Sequence, residues 1–282
     1  MSAYTTEVAI VGDPVEHSLS PVMQNVAFAS AGLDWKMVRL QVPSGGGADV
    51  IERVRLGEFA GLAITMPLKE EAANAVDQLD PASARLQSVN TAVAISGGSV
   101  RGLSTDGNGF VRSLYAQDIE LVDRRVHVIG AGGAARSIIA ALGVIEGCAI
   151  TVSNRTFSSA VTAASLADRA EAVAEGDLGD AVRSSDVVVN TTSVGMGLDQ
   201  QVGAVPLPIE LISQRHVVAD IVYHPLTTAL LAGAAGCGAH TVDGLGMLVH
   251  QAVLQCEAWT GFTPDPVAMR SAAEAELGRR SG

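Results

Sequence analysis

The sequence predicts an α/β fold of two domains, and three observations carry that expectation. Short apolar runs alternate with stretches of helical period along the chain, the mark of a mostly parallel sheet with crossover helices. The chain is 282 residues long, 48% hydrophobic and 17% charged, enough for one large core or two ordinary ones and far from the composition of disorder. The pattern also restarts near residue 126 at a glycine-rich turn between an apolar run and a helix.

Taken in order, Glu7–Val11 reads as a strand and Pro21–Ala31 as a helix. Lys36–Val42 and Leu62–Ile64 read as strands, with Asp49–Leu56 helical between them. Gly45-Gly46-Gly47 reads as a flexible loop, because no P-loop Lys-Ser/Thr follows it. Ala92–Ser96 and Val100–Leu103, joined through Gly97-Gly98, form a predicted hairpin. After the restart come strand Val126–Ile129, helix Ala134–Leu142, strand Ala149–Ser153 and helix Ser158–Ala167. Strands Val187–Asn190 and Val217–Ile221 follow, separated by a looser Gly- and Pro-containing stretch, Gly195–Pro208. Two helices, Leu245–Thr260 and Pro264–Leu277, close the chain, and no internal repeat is present.

Composition excludes several function classes. With 18 Lys plus Arg against 30 Asp plus Glu, the net charge is −12, and no Lys/Arg run offers a phosphate backbone a footing, so nucleic acid is not an expected partner. No apolar stretch reaches the roughly 18–20 residues that span a bilayer, and the N-terminus lacks a charged-then-apolar signal, so no membrane is expected either. Cys148, Cys237 and Cys256 are few, odd in number and far apart, which points to a reducing cytoplasm. The six histidines show no zinc-peptidase spacing, and no metal is expected. Only two of the basic residues are lysines, Lys36 and Lys69.

The sharpest local signal is Val126–Ile129 running into Gly130-Ala131-Gly132-Gly133-Ala134-Ala135. This is G-x-G-x-x-A between strand and helix, the dinucleotide fingerprint. Gly130 permits the tight turn, Gly132 lets amides approach a pyrophosphate, and the small Ala135 allows close helix–strand packing. The next strand ends Ser153-Asn154-Arg155-Thr156 without the acid that grips the ribose 2′-hydroxyl of NAD. A guanidinium there suits the 2′-phosphate of NADP.

Nearer the N-terminus, Ser20-Pro21 reads as N-cap and first helical residue, with the Ser18 and Ser20 hydroxyls and helix amides turned toward an anion such as a carboxylate. Thr65-Met66-Pro67-Leu68-Lys69 leads from a strand into a helix, and a lysine there stands at the unfavourable end of the helix dipole. Asp106 also lies where a strand meets a helix. A Lys/Asp pair can pass a proton to and from the oxygen of a carbonyl or alcohol, the task that accompanies hydride transfer. Nothing in the spacing itself brings Lys69 and Asp106 together.

These motifs resemble the shikimate dehydrogenases from nearly one end of the chain to the other. The matching segments are Ser18–Pro21, Thr65–Lys69, Ser88–Thr91, Thr105–Gly107, Gly130–Ala134, Asn154–Thr156, Asn190–Met196, Asp220–Tyr223 and Asp243–Gln251. The resemblance implies NADPH-dependent reduction of the small molecule 3-dehydroshikimate to shikimate, in the pathway to aromatic amino acids. It implies a catalytic dyad of Lys69 and Asp106, a carboxylate site at Ser18, Ser20 and Tyr223, and further substrate contacts from Thr65, Asn90 and Gln251. For the cofactor it implies Gly130, Ala131, Gly132, Gly133, Ala134, Asn154, Arg155, Thr156, Ile221 and Gly244. It also implies a substrate domain of residues 1–105 plus 244–282, a Rossmann-type NADP domain of residues 106–243, and a cleft between them.

The chain departs from the family pattern at a few places. Ala63 and Ser104 stand where Asn is usual, Gln24 where His is frequent, and Ser159 where a second basic residue commonly clamps the 2′-phosphate. A weaker NADP preference with some NAD use is therefore expected. Competing readings are an NAD(P)-dependent quinate/shikimate or aminoshikimate dehydrogenase, and a non-catalytic nucleotide sensor. Retention of both Lys69 and Asp106 speaks against the sensor, while monomer and homodimer both stay open.

Overall fold

The computed structural model describes residues 5–197 and 203–281. It forms two compact units, Met1–Gly109 with Val249–Gly282, and Phe110–Leu248. Both divisions fall inside helices, a few residues past the helix starts where the sequence reading sets its boundaries.

The first unit begins with strand β1 (Thr6–Gly12), helix α1 (Ser20–Ser30), β2 (Trp35–Gln41), α2 (Gly47–Arg55) and β3 (Gly61–Ile64). It continues with α3 (Lys69–Ala75), β4 (Gln78–Leu79), α4 (Pro81–Leu86), and the hairpin of β5 (Thr91–Ile95) and β6 (Ser99–Leu103). Its sheet runs β2-β1-β3-β5-β6-β4. β1 pairs in parallel with β2 and β3, whereas β5 is antiparallel to both β3 and β6. β1 is buried from Val8 onward, as expected of a central strand covered on both faces. Ala9, Val11, Ile51, Leu62, Leu68, Val89 and Ala92 belong to this core. Each large aliphatic side chain so buried contributes roughly 1.5–3 kcal/mol. The triple glycine is held more firmly than a free loop: Gly47 opens α2, and the Glu71 carboxylate accepts from the amides of Gly45 (2.9 Å) and Gly47 (2.8 Å). Those amides, Gly45 foremost, hold the Glu71 carboxyl below its usual range.

α5 (Asp106–Tyr115) leads into the second unit, which alternates β7 (Arg125–Ile129), α6 (Gly133–Leu142), β8 (Ala149–Ser153), α7 (Phe157–Ala164) and β9 (Ala170–Ala172). Then come α8 (Leu178–Ser184), β10 (Val187–Asn190), β11 (Val217–Asp220), α9 (Ala229–Gly236) and β12 (His240–Val242). All neighbours in the order β12-β11-β10-β7-β8-β9 are parallel. This is the doubly wound Rossmann order, with its switch point between β7 and β10. Of the looser stretch Gly195–Pro208, residues 198–202 lie outside the described residues, and the rest forms neither strand nor helix.

His127 on β7 is fully buried, with Nδ1 2.8 Å from Thr151 Oγ1 and Nε2 2.9 Å from Ser153 Oγ. Burial pushes its imidazole down to about 4. The chain closes with α10 (Gly244–Thr260) and α11 (Pro266–Ser281), and α11 packs on α1 in the first unit.

Candidate active site

Lys69 opens α3 against the helix dipole, and the structure answers that cost with carboxylates. Glu70 and Glu71 share its first turn, and Lys69 Nζ donates to Asp106 Oδ2 at 2.6 Å. Asp106 heads α5, 37 residues along the chain. The side chains keep 26% and 14% of their surface exposed, so the pair is sheltered yet open to a ligand.

Asn90, at the end of the turn before β5, is 3% exposed and holds Asp106 from the other side. Its Nδ2 donates to Asp106 Oδ1 at 2.7 Å and to Thr105 Oγ1 at 2.9 Å. Its Oδ1 accepts from the Thr105 amide at 2.9 Å, a group that can only donate, which fixes the orientation of the side-chain amide. Both carboxylate oxygens of Asp106 therefore have donors, and its ring of contacts is set before any ligand arrives.

The neighbouring expected contacts are positioned by backbone. The Thr65 amide donates to Val11 O at 2.9 Å, and its carbonyl accepts from Leu68 N at 3.0 Å, holding Thr65 in the turn that leads to Lys69. Gln251 on α10 is 7% exposed, and Gly109 lets α5 approach it: a Cβ there would stand 2.6 Å from the Gln251 amide. At α1 the capping expectation needs correction. The helix starts at Ser20, its N-cap is Leu19 in the right-handed helical region, and no side chain caps it there. Because Leu19 already has helical dihedrals, it is Ser18 Oγ that accepts from Ser20 N, at 3.2 Å. Tyr223 belongs to the second unit, in the segment after β11.

In the second unit the glycine-rich turn has the expected geometry. Gly130 has φ +112°, and a Cβ there would lie 2.4 Å from Thr191 Oγ1, so only glycine fits. A Cβ on Gly132 or Gly133 would meet nothing within 4 Å, so the backbone at the start of α6 faces open space. The amides of Gly133, Ala134 and Ala135 have no acceptor among the described residues, whereas Arg136 N donates to Gly132 O at 2.9 Å, so the first three amides of α6 are free for an anion. Arg155 is exposed and makes no hydrogen bond or ion pair among the described residues. Asn154 Nδ2 donates to Thr156 O at 3.0 Å, which shapes that turn. These residues fit a dinucleotide that carries an extra phosphate.

One buried pair heads two of the segments that carry the resemblance, yet the sequence reading assigned it no role. Asp220, 1% exposed at the end of β11, accepts from Asn190 Nδ2 (2.9 Å), Thr228 Oγ1 (2.7 Å) and Val222 N (3.1 Å). Asn190 Oδ1 in turn accepts from Thr192 N at 3.0 Å. The pair thus organises the segments that follow β10 and β11, including Ile221 and Tyr223. Burial raises the Asp220 carboxyl above its usual range. An acid at the end of an apolar strand was the available signal. A cavity of about 560 Å³, lined in part by Arg125, Thr151, Asp168, Arg169 and Glu171, opens at the strand-start edge of this sheet, away from the Gly130 turn. Among the described residues, no group of three or more His, Cys, Asp or Glu could hold a metal.

A doubly wound dinucleotide unit, joined to an α/β unit bearing a sheltered Lys–Asp pair, defines a nicotinamide-dependent oxidoreductase of the Rossmann class. Comparison with known proteins narrows the class. Residues 10–92 match the model of the shikimate dehydrogenase substrate binding domain, 113–202 that of shikimate/quinate 5-dehydrogenase, and 244–274 that of the shikimate 5′-dehydrogenase C-terminal domain. The shikimate dehydrogenase (NADP(+)) of Haloarcula marismortui is 39% identical over 252 residues, 89% of this chain and 92% of that protein. The shikimate 5-dehydrogenase of Thermus thermophilus, solved with NADP(H) and shikimate, is 35% identical with a TM-score of 0.88, covering 96% of this chain and 99% of that one. The Listeria monocytogenes enzyme, solved with shikimate and NAD, is 29% identical with a TM-score of 0.90, covering 96% and 97%. The chain belongs to the shikimate dehydrogenase family.

Proposed function

We propose that this chain catalyses the reversible NADPH-dependent reduction of 3-dehydroshikimate to shikimate, in the pathway to aromatic amino acids. The observation that carries the reading is the 2.6 Å contact of Lys69 Nζ with Asp106 Oδ2, braced by Asn90, in the unit whose sequence matches the family's substrate-binding domain. NADPH, when bound, supplies the hydride. Lys69, as an ammonium, stabilises the negative charge that grows on the substrate's carbonyl oxygen and donates the proton that completes the hydroxyl. Asp106 orients the ammonium and accepts from a ring hydroxyl. In the reverse direction Lys69 receives the proton, a role arginine cannot fill near neutral pH.

Ser18, Ser20 and Tyr223 hold the substrate carboxylate, and Thr65, Asn90 and Gln251 bind the remaining polar groups. The turn Gly130-Ala131-Gly132-Gly133-Ala134 receives the pyrophosphate, and Asn154, Arg155 and Thr156 grip the adenosine 2′-phosphate. Ile221 and Gly244 complete the cofactor site. Arg155 is the one guanidinium between Asn154 and Ser159, which supports measurable NAD use beside NADP. Three free thiols support a reducing, cytoplasmic setting.

The test is a steady-state assay of shikimate and quinate oxidation with NADP and with NAD. Shikimate with NADP is expected to give the highest kcat/KM. Absence of shikimate oxidation with either cofactor would overturn the reading.

A further inference from the structure

Gln255 lies on α10, one turn past Gln251 and 2% exposed, and sequence reasoning assigned it nothing. Its Nε2 is 3.3 Å from the Asn90 carbonyl oxygen and 3.2 Å from Thr91 Oγ1. The Asn90 carbonyl also accepts from Ile64 N at 2.7 Å, so Gln255 occupies its second lone pair. Thr91 Oγ1 is 2.9 Å from Asn90 Oδ1. An amide nitrogen only donates, so Thr91 must accept from Gln255 and turn its own hydrogen toward Asn90 Oδ1. That donation, with the one from the Thr105 amide, keeps the nitrogen end of Asn90 on Asp106.

We propose that Gln255 is a positioning residue for the proton-transfer pair, acting through Thr91 and Asn90 on Asp106 and Lys69. The inference rests on the reading that Lys69 and Asp106 move the proton. A second observation separates it from ordinary packing. Among the described residues, Gln255 Oε1 is buried without a hydrogen-bond partner, an arrangement that costs stability. Flipping the amide would instead set two oxygens against each other at Asn90. An apolar side chain of the same length would fill the site without that cost, so the amide is retained for what its nitrogen holds.

The experiment compares Gln255→Met, Thr91→Val and the double variant with the unchanged enzyme in shikimate oxidation by NADP, alongside thermal unfolding. Gln255→Met should lower kcat about tenfold, equivalent to about 1.4 kcal/mol. Its KM for NADP should stay within about twofold, and its Tm should not fall, because the orphaned oxygen has gone. Thr91→Val should lose kcat to a similar extent, and the double variant should lose no more than about twofold beyond either single one, since both cut the same chain of bonds. A near-normal kcat in Gln255→Met, or losses that multiply in the double variant, would overturn the proposal. If Gln255→Met does not fold, a normal kcat in Thr91→Val overturns it equally. A wild-type enzyme that fails to oxidise shikimate overturns the functional reading and this inference with it, whereas the other outcomes bear on Gln255 alone.

Discussion

The two candidate sites of this molecule are built in opposite ways. In the first unit, side chains from three separate segments are already bonded to one another: Lys69 to Asp106, Asp106 to Asn90, and Asn90 to Thr105. In the second unit, the site is continuous backbone around Gly130–Gly133, with open space before it and an exposed Arg155, unpaired among the described residues, on the next strand's end. A site that must hold a proton at one atom needs its groups set beforehand, because reorganising them during reaction would cost rate. A site that holds a phosphate needs only amides and a guanidinium whose partner is the ligand itself. The protein at −12 has no overall attraction for either anion, so both sites depend on local groups.

The comparison can be broken most severely at Lys69. Lys69→Ala is expected to lower kcat by about two to four orders of magnitude, the scale of a general acid–base group, with substrate KM changed far less. Near-normal turnover in that variant, measured under saturating shikimate and NADP, would remove Lys69 from the chemistry.

Beneath the second site, His127 offers a test by pH. Its folded-state value is held down near 4 against 6.5 for a free imidazole, so between those values the unfolded chain binds a proton that the folded chain does not. Stability contributed by the neutral ring is whole above pH 6.5 and is lost as pH falls toward 4, amounting to about 2 kcal/mol between pH 7 and pH 5. Urea unfolding at those two pH values should show a smaller loss for His127→Gln than for the wild type. Parallel losses would rule the histidine out as the cause.

At the second site the effect is expected on cofactor binding, through Arg155. Arg155→Ala should raise KM for NADP by about 10- to 100-fold, as for loss of a charge-assisted hydrogen bond, while KM for NAD stays within about twofold. Equal effects on both cofactors would show that Arg155 does not read the 2′-phosphate.

Much of the fold was legible because the strands are apolar runs and the longer helices have apolar faces. Val187–Asn190 and Ala149–Ser153 form strands over the very residues their apolar content marks. β4, β9 and β12 were not legible, because a two- or three-residue strand has no period to detect and exists only through its neighbour. α9, Ala229–Gly236, is apolar on every side and lacks the contrast that announces a helix. The cap of α1 was misplaced by one residue because Leu19 took helical dihedrals that its side chain does not advertise.

The sequence by itself determined the glycine turn, since strand, turn and helix are contiguous and the chemistry is local backbone geometry. It also marked Lys69 as anomalous, a cation at the wrong end of a helix in a chain with only two lysines. What faces Lys69 was decided by tertiary structure alone. Asp106, Asn90 and Gln255 are set against one another by the pairing of β3, β5 and β6 and by the return of α10. Hydrogen bonds between residues 16 to 165 positions apart leave no period or spacing in the chain, and exist only once the sheet and its covering helix have packed.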